Sequence, residues 1–267
     1  MLVLVIRFRN KYSFEKAVNS VVVYKDGVTI IRFDPFYNEL LTLNVYENIS
    51  VESAGGFGSY PLKNIYALSE NEKKGDEMFR KTIMRNFHIP IYTTVDCRNQ
   101  AVGKRSFLSL VFSCRKTKDF DDILYLIYTK WKTGNNKVEK NIEDYRGVFA
   151  KGEESDEDFR LNENVFEKLE LDFSQSVDID DVVNISIKTV GDASVPDYFS
   201  DVVRVMGGRV VETGRGDFDV DFGTCKITGS NKVFIKNIGK VFGCKVVYQK
   251  GNVDAELYFS PDYLATF

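Results

Sequence analysis

The sequence contains a single histidine, His88, and no large excess of positive charge. One imidazole cannot build a His-rich metal site, and a Ser-His-Asp triad would have to use that one ring. The 36 basic and 39 acidic residues leave a net charge of -3, so nothing in the overall charge favours a nucleic-acid backbone as partner. These shortages argue against zinc enzymes, conventional triad hydrolases and nucleic-acid-binding proteins.

Long apolar runs are also missing. The apolar run at the start, Met1 to Ile6, is far below the roughly 20 residues that a membrane helix needs. It is too short for the core of a signal peptide, so we expect neither a signal peptide nor a transmembrane segment in this chain. None of the four cysteines forms a C-x-x-C motif, which argues against a structural zinc site.

The composition is that of a globular protein large enough for two domains. Hydrophobic residues make up 43% and charged residues 28% of the 267 residues. Single cores usually stop growing near about 250 residues, which favours two folding units. The acidic stretch Lys151 to Asp158 has no large apolar residue and is expected to be a loop or hinge.

The first half predicts an antiparallel meander followed by helices. Val18–Tyr24, Val28–Phe33 and Glu39–Tyr46 are apolar and rich in β-branched residues, and turn signals separate them. Glu77–Phe87 and Phe120–Trp131 show apolar residues at helical spacing. In the first of these helices, the pattern places Arg80, Lys81 and Arg85 off the apolar face.

The second half, from Val182 onward, alternates strands and helices. This order predicts a small α/β unit with parallel strand pairs, so the fold class is α/β (α+β) with mixed sheets. Cys225 and Cys244 begin two neighbouring strands on either side of one helix, which could bring them within reach of a disulfide. Cys97 and Cys114 are expected to be free and buried.

Several polar residues of the first half have the chemistry to bind a diphosphate. Lys63, Arg80, Lys81 and Arg85 fall within a short span and could converge on a pyrophosphate, although lysines on helix surfaces often only face water. The loop Gly55–Gly58 could cradle a phosphate through its N–H groups or could simply be a tight turn. Asp26 could hold a divalent cation or could serve only the turn in which it lies.

Eight segments of the sequence carry a recognisable pattern: DGVTIIRFDP (26–35), TLNVYEN (42–48), GGFGSYPLKNIYAL (55–68), KTIMRNFHIPIYTTVD (81–96), NISIKTVG (184–191), VMGGRVVETG (205–214), KVFGCKVV (240–247) and DAELYFSPDY (254–263). The first four resemble the LytR-CpsA-Psr (LCP) domain of bacterial cell-envelope proteins. The last four resemble the LytR C-terminal domain, and the two follow each other in the order usual for those families. The resemblance divides the chain into domains at 1–178 and 179–267.

The resemblance implies transfer of glycopolymers from a polyprenyl-pyrophosphate carrier to the cell wall, outside the cytoplasm and close to a membrane. It implies Mg²⁺ as cofactor, Asp26 as its carboxylate, cations on the pyrophosphate and either a polyprenyl-linked glycan or peptidoglycan as partner. Lys63 matches a lysine of the family pattern, whereas Glu47 stands where the family has a catalytic arginine. A glutamate repels phosphate and lacks the donors of a guanidinium.

Three hypotheses follow. The first is a degenerate family member that binds the polyprenyl pyrophosphate or wall polymer without efficient transfer. The second is an active phosphotransferase that uses Asp26 with Lys63, Arg80 and Arg85. The third is a non-enzymatic envelope module that binds protein or peptidoglycan through its C-terminal domain.

Overall fold

The computed structural model describes residues 16–46, 48–99, 114, 120–151, 159–162, 164–175, 182–190, 193–216, 224–251 and 253–267. Glu47 and most of the acidic stretch Lys151–Asp158 lie outside these residues. The described strands are β1 (Val18–Tyr24), β2 (Gly27–Asp34), β3 (Glu39–Tyr46), β4 (Ile49–Glu52), β5 (Ser59–Pro61), β6 (Thr93–Cys97), β7 (Lys137–Asn141), β8 (Phe149–Lys151), β9 (Phe159–Leu161), β10 (Val183–Thr189), β11 (Gly208–Arg215), β12 (Cys225–Gly229), β13 (Lys245–Tyr248) and β14 (Ala255–Phe259). The described helices are α1 (Leu62–Asn71), α2 (Gly75–Phe87), α3 (Phe120–Thr133), α4 (Val165–Phe173), α5 (Asp197–Val205), α6 (Lys232–Phe242) and α7 (Pro261–Leu264), with a 3-10 turn at Ile142–Asp144.

The first sheet has the strand order β6-β1-β2-β3-β7. Strands β1, β2 and β3 form the predicted antiparallel meander, while β6 pairs parallel to β1 and β7 pairs parallel to β3. Every residue of β1 and β2 is buried, because both faces of the sheet are covered. This sheet is the core of the first half.

The second sheet confirms the alternating pattern of the second half. Its strand order is β11-β10-β14-β12-β13, with three parallel pairs and one antiparallel pair, between β12 and β14. Helix α6 begins after Asn231, whose side chain accepts a hydrogen bond from the Phe234 N–H (3.1 Å). It ends at Gly243, which adopts the left-handed conformation (φ +73°) that closes many helices. The fold class is therefore α/β with mixed sheets.

All four cysteines form disulfides. The structure joins Cys225 to Cys244, the pair singled out in the sequence, at the start of β12 and after α6. The expectation that Cys97 and Cys114 are free is wrong, because Cys114 lies beside the end of β6 and bonds to Cys97. No local sequence signal placed Cys114 next to that strand end.

The second half packs against α2 of the first half through an aromatic cluster. Phe199 of α5 is completely buried, with its ring centroid 4.5 Å from that of Phe259 and 4.8 Å from that of Phe267. Phe242 and Tyr263 complete the cluster. Phe267 therefore links the core of the second half to the side of α2, where the candidate site lies.

Candidate anion-binding site

Helix α2 is buried on two sides rather than one. On the side of the first half, its residue Phe79 packs edge-to-face against Tyr66 of α1, with ring centroids 5.3 Å apart. On the other side, Lys81 and Met84 face the second half and line a cavity there. The prediction that Lys81 lies off the buried face is wrong, because the second half covers that side of the helix.

Lys81 is the most deeply buried cation of this helix, with 6% of the residue exposed. Its ammonium donates to Thr266 Oγ1 (2.7 Å) and pairs with Glu77 Oε1 (2.9 Å). The same ammonium lies 4.9 Å from the ring centroids of both Tyr263 and Phe267, a distance typical of cation-π contacts. Lys81 therefore joins α2 to the last residues of the chain.

The electrostatics of this pair follow from its burial. Burial lowers the pKa of Lys81 below its usual value, and the neighbouring Glu77 carboxylate opposes that change. Burial alone would raise the pKa of Glu77, but the hydrogen bond and charge of Lys81 outweigh it, so this pKa is lowered. The lowered pKa of Glu77 favours its carboxylate form, whereas the lowered pKa of Lys81 works against the ammonium charge, which the Glu77 carboxylate helps to keep.

Two cavities flank Lys81 along one face of α2. The larger is about 290 Å³ and the smaller about 280 Å³, and Glu77 and Lys81 line both. Arg80 adds a second cation to the larger cavity, and Lys74 adds one to the smaller. Each cavity thus has two cations against one carboxylate, a formal charge of +1, and is suited to an anion rather than a cation.

The glycine-rich loop forms a wall of the smaller cavity. Gly55 and Phe57 are among its lining residues. Gly55 has φ +83°, a backbone conformation that is strained for any residue with a side chain. The loop is fixed to α2 by the Ala54 N–H, which donates to Thr82 Oγ1 (2.9 Å). The sequence interpretation of this loop as a phosphate cradle is thus compatible with its place, since it lies next to Lys81.

Arg80 has unused hydrogen-bonding capacity. Its Nη1 donates to the Tyr92 carbonyl at 3.4 Å, and its Nε lies 3.7 Å from Asp76 Oδ2, beyond hydrogen-bond range. Within the described residues, that buried Nε has no hydrogen-bond partner. A guanidinium carries five N–H donors, so Arg80 can still donate to an anion in the larger cavity.

The other residues singled out in the sequence lie elsewhere. Arg85 is five positions from Arg80, about 140° around the helix, and it binds Glu52 and the Phe267 carbonyl instead (2.7 Å to the latter). Lys63 is exposed on α1, and Asp26 is partly exposed in the β1–β2 turn. Neither lines either cavity. The structure therefore brings Arg80 to the cavities and leaves Lys63, Arg85 and Asp26 apart from them.

The described residues do not form a binding site for Mg²⁺ from protein ligands alone. Among them, no three His, Cys, Asp or Glu side chains are grouped so that they could hold a metal ion. Mg²⁺ is often bound by only one or two carboxylates together with phosphate oxygens, and Asp26 is the carboxylate proposed for that role. Asp26 lines neither cavity, so the described residues do not bring this carboxylate to the anion-binding site.

Thr266 is the residue of this site that sequence reasoning did not select, whereas Lys81 was selected for its charge but expected off the buried face of the helix. Their contact joins residues 185 positions apart. No local pattern predicts such a contact, because it depends on how the second half docks onto α2.

Comparisons with known proteins give structural matches only. No family model and no curated protein matches the sequence. Solved structures similar to this one include LytR-CPS2A-psr family proteins. Bacillus subtilis TagT matches with 11% identity and a TM-score of 0.39, over 58% of this chain and 89% of that chain. A structure of TagT with bound octaprenyl pyrophosphate lipid matches with 10% identity and a TM-score of 0.37, over 59% of this chain and 89% of that one. A transcriptional regulator from Enterococcus faecalis matches with 10% identity and a TM-score of 0.41, over 58% of this chain and 85% of that one.

Proposed function

We propose that this is a cell-envelope protein that binds the diphosphate headgroup of a polyprenyl-linked glycan carrier without transferring the glycan efficiently. The observation that carries the proposal is the spare hydrogen-bonding capacity of Arg80 at a cavity of formal charge +1. A diphosphate offers several acceptor oxygens to such a guanidinium. The class of carrier comes from the sequence resemblance to LCP domains.

The size of the site limits what it recognises. Ligand cavities commonly span about 300 to 1,000 Å³, so 290 Å³ suits a headgroup and is too small for an octaprenyl chain. The diphosphate is therefore the recognised element, and the prenyl chain lies outside this cavity.

The disulfides support a location outside the cytoplasm. Disulfides persist in oxidising compartments and are rare in the cytosol. All four cysteines of this chain are paired, which supports secretion of the protein to the cell envelope. The helices described in the structure include none with the length and apolar character to cross a membrane.

Inefficient transfer follows from the charges. By the sequence resemblance, Glu47 stands where the family has a catalytic arginine, and a carboxylate in that role would repel a phosphoryl group instead of stabilising it. Arg85, a second proposed phosphate ligand, already pairs with Glu52. The remaining cations are therefore sufficient to bind a diphosphate but too few to stabilise the additional charge of a transition state.

The test is binding of farnesyl diphosphate, a short soluble polyprenyl diphosphate, measured by calorimetry. Arg80→Gln is expected to weaken binding about thirtyfold, since hydrogen bonds to charged groups contribute about 2 kcal/mol. Inorganic pyrophosphate should compete with farnesyl diphosphate, and farnesyl monophosphate should bind more weakly than the diphosphate.

Arg209→Gln is the matched control, because this exposed arginine binds Asn184 on β10, far along the chain from α2. It should leave the affinity unchanged, and both variants should keep the thermal midpoint of the native protein. Equal affinity of Arg80→Gln and wild type would contradict the site. Rapid Mg²⁺-dependent transfer of a lipid-linked sugar, lost in Asp26→Ala, would contradict the claim of inefficient transfer. Binding to peptidoglycan without any affinity for diphosphates would favour the non-enzymatic interaction module.

A further inference from the structure

Three exposed aromatic side chains lie at the end of the first sheet where the β2–β3 turn meets the α3–β7 loop. Phe36 and Tyr37 of that turn are 79% and 58% exposed, and their rings pack edge-to-face with centroids 4.9 Å apart. Trp131, in the last turn of α3, is also 79% exposed. We call Phe36, Tyr37 and Trp131 the aromatic tip.

The backbone beneath the aromatic tip is held in place by side chains. Asp34 Oδ1 accepts hydrogen bonds from the N–H groups of Phe36 (2.9 Å) and Tyr37 (3.2 Å). Asn136, from the α3–β7 loop, donates through Nδ2 to the carbonyls of Tyr37 and Asn38, both at 3.1 Å. These bonds fix the turn while its rings stay in solvent, and they tie it to the loop that follows Trp131.

Leaving three large rings in water is unfavourable, because burial of an aromatic side chain gains free energy. Phe36 and Tyr37 are not exposed because they lie in a loose loop, since hydrogen bonds hold the backbone of their turn on both sides. Exposed apolar groups presented by a fixed backbone indicate a surface that contacts another phase or partner.

Lysines surround the aromatic tip. Lys132 and Lys137 are exposed, and Lys130 is partly exposed. Burial lowers the pKa of Lys130, and the like charge of Lys137 lowers it further while Glu139 opposes both. An anionic surface nearby would offset the repulsion between these two lysines and stabilise the charge of both.

The acidic groups of this end do not cancel that attraction. Asp34 is buried and pairs with Arg32 (2.7 Å), so its charge is compensated inside the protein. Glu139 Oε1 accepts a hydrogen bond from the Asn44 side chain (2.9 Å), and Glu39 is only partly exposed. Among the residues that the structure describes at this end, three lysines against these two glutamates leave an excess of +1.

We propose that the aromatic tip and its lysines form a docking surface for anionic phospholipid, with the rings inserted at the headgroup level. Tyr and Trp favour that level because one part of each ring is apolar and another is polar. Lysines close to an anionic surface strengthen such binding, and each contributes independently of the rings. The proposal does not rest on diphosphate binding, because the aromatic tip and its lysines share no residue with either cavity beside Lys81.

Trp131 is the only tryptophan of the chain, so fluorescence excited selectively at the tryptophan, at wavelengths beyond tyrosine absorption, reports on the aromatic tip alone. Vesicles of phosphatidylcholine and phosphatidylglycerol, free of polyprenyl lipid, should shift its emission to the blue, and bromine-labelled lipid should quench it. Vesicles of phosphatidylcholine alone should give a much smaller shift. Because no diphosphate is present, this result is independent of the proposed function.

Two double variants separate the contributions of rings and charges. Lys132→Glu with Lys137→Glu should reduce vesicle binding by about thirtyfold or more, and Phe36→Ser with Tyr37→Ser should reduce it about tenfold or more. The matched controls are Lys168→Glu with Lys245→Glu, which change the same charge at exposed sites elsewhere, and Leu171→Ser, which removes a side chain that is 90% exposed on α4.

Unchanged binding in either test variant, with all variants folded by circular dichroism, would overturn the proposal. Equal losses in the control variants would overturn it as well, because the effect would then not belong to this surface. Self-association that Phe36→Ser with Tyr37→Ser abolishes, without any vesicle binding of the wild type, would assign the surface to a second copy of the chain instead.

Discussion

Replacing Phe199 by alanine is expected to lower the free energy of unfolding by about 3 to 5 kcal/mol, the range for a phenylalanine removed from a packed core. Phe199 is completely buried, and its ring centroid is within 5.4 Å of those of Phe242, Phe259 and Phe267. A cavity at its position removes contacts with all three rings at once. Because Phe267 also packs on the ammonium of Lys81, we expect diphosphate binding to weaken together with stability.

Denaturant unfolding, followed by circular dichroism, measures this effect. Tyr248→Ala is the control, since this aromatic side chain is 56% exposed and its loss should change the free energy of unfolding by about 0.5 kcal/mol or less. A loss of less than about 1 kcal/mol in Phe199→Ala would show that the aromatic cluster is not a tightly packed core of the second half.

Removing the Cys225–Cys244 disulfide has the second-largest expected effect. The double variant Cys225→Ala with Cys244→Ala should lose about 3 kcal/mol, because a bridge across 19 residues restricts the unfolded chain by about that amount. The bond also fixes the start of β12 to the end of α6, where Cys225 and Gly243 line the larger cavity.

The control for this prediction is the matching variant of the other bridge, Cys97→Ala with Cys114→Ala, which spans 17 residues in the first half. Thiol titration of unfolded wild type without reductant should find no reactive cysteine, whereas each double variant should keep one intact bridge. Four reactive thiols in the wild type would contradict both disulfides and the oxidising compartment they support.

The strands and helices with strong local patterns could be predicted from the sequence. The meander β1–β3 is rich in β-branched residues and separated by turns, so its pairing is local. Strand β7 gave no such signal, because KVEKN has one apolar residue and forms only by pairing with β3. Likewise, the bond from Cys97 to Cys114 depends on tertiary placement that spacing does not encode.

The candidate site was predictable in part. Arg80 was selected for its charge and its place among basic residues, and the structure puts it at a cavity. Arg85 has the same charge on the same helix, yet it faces Glu52, because five positions rotate it to another side. Lys81 could not be recognised as central, since its burial comes from Thr266 and Phe267 in the second half.

Photo-crosslinking with a diazirine-bearing farnesyl diphosphate, followed by peptide mapping, tests the proposed binding site most directly. We expect labels on peptides from α2 (Gly75–Phe87) or residues 261–267, and we expect inorganic pyrophosphate and Arg80→Gln both to suppress them. Labels confined to the β1–β2 turn around Asp26, or labels that excess pyrophosphate does not reduce, would contradict it.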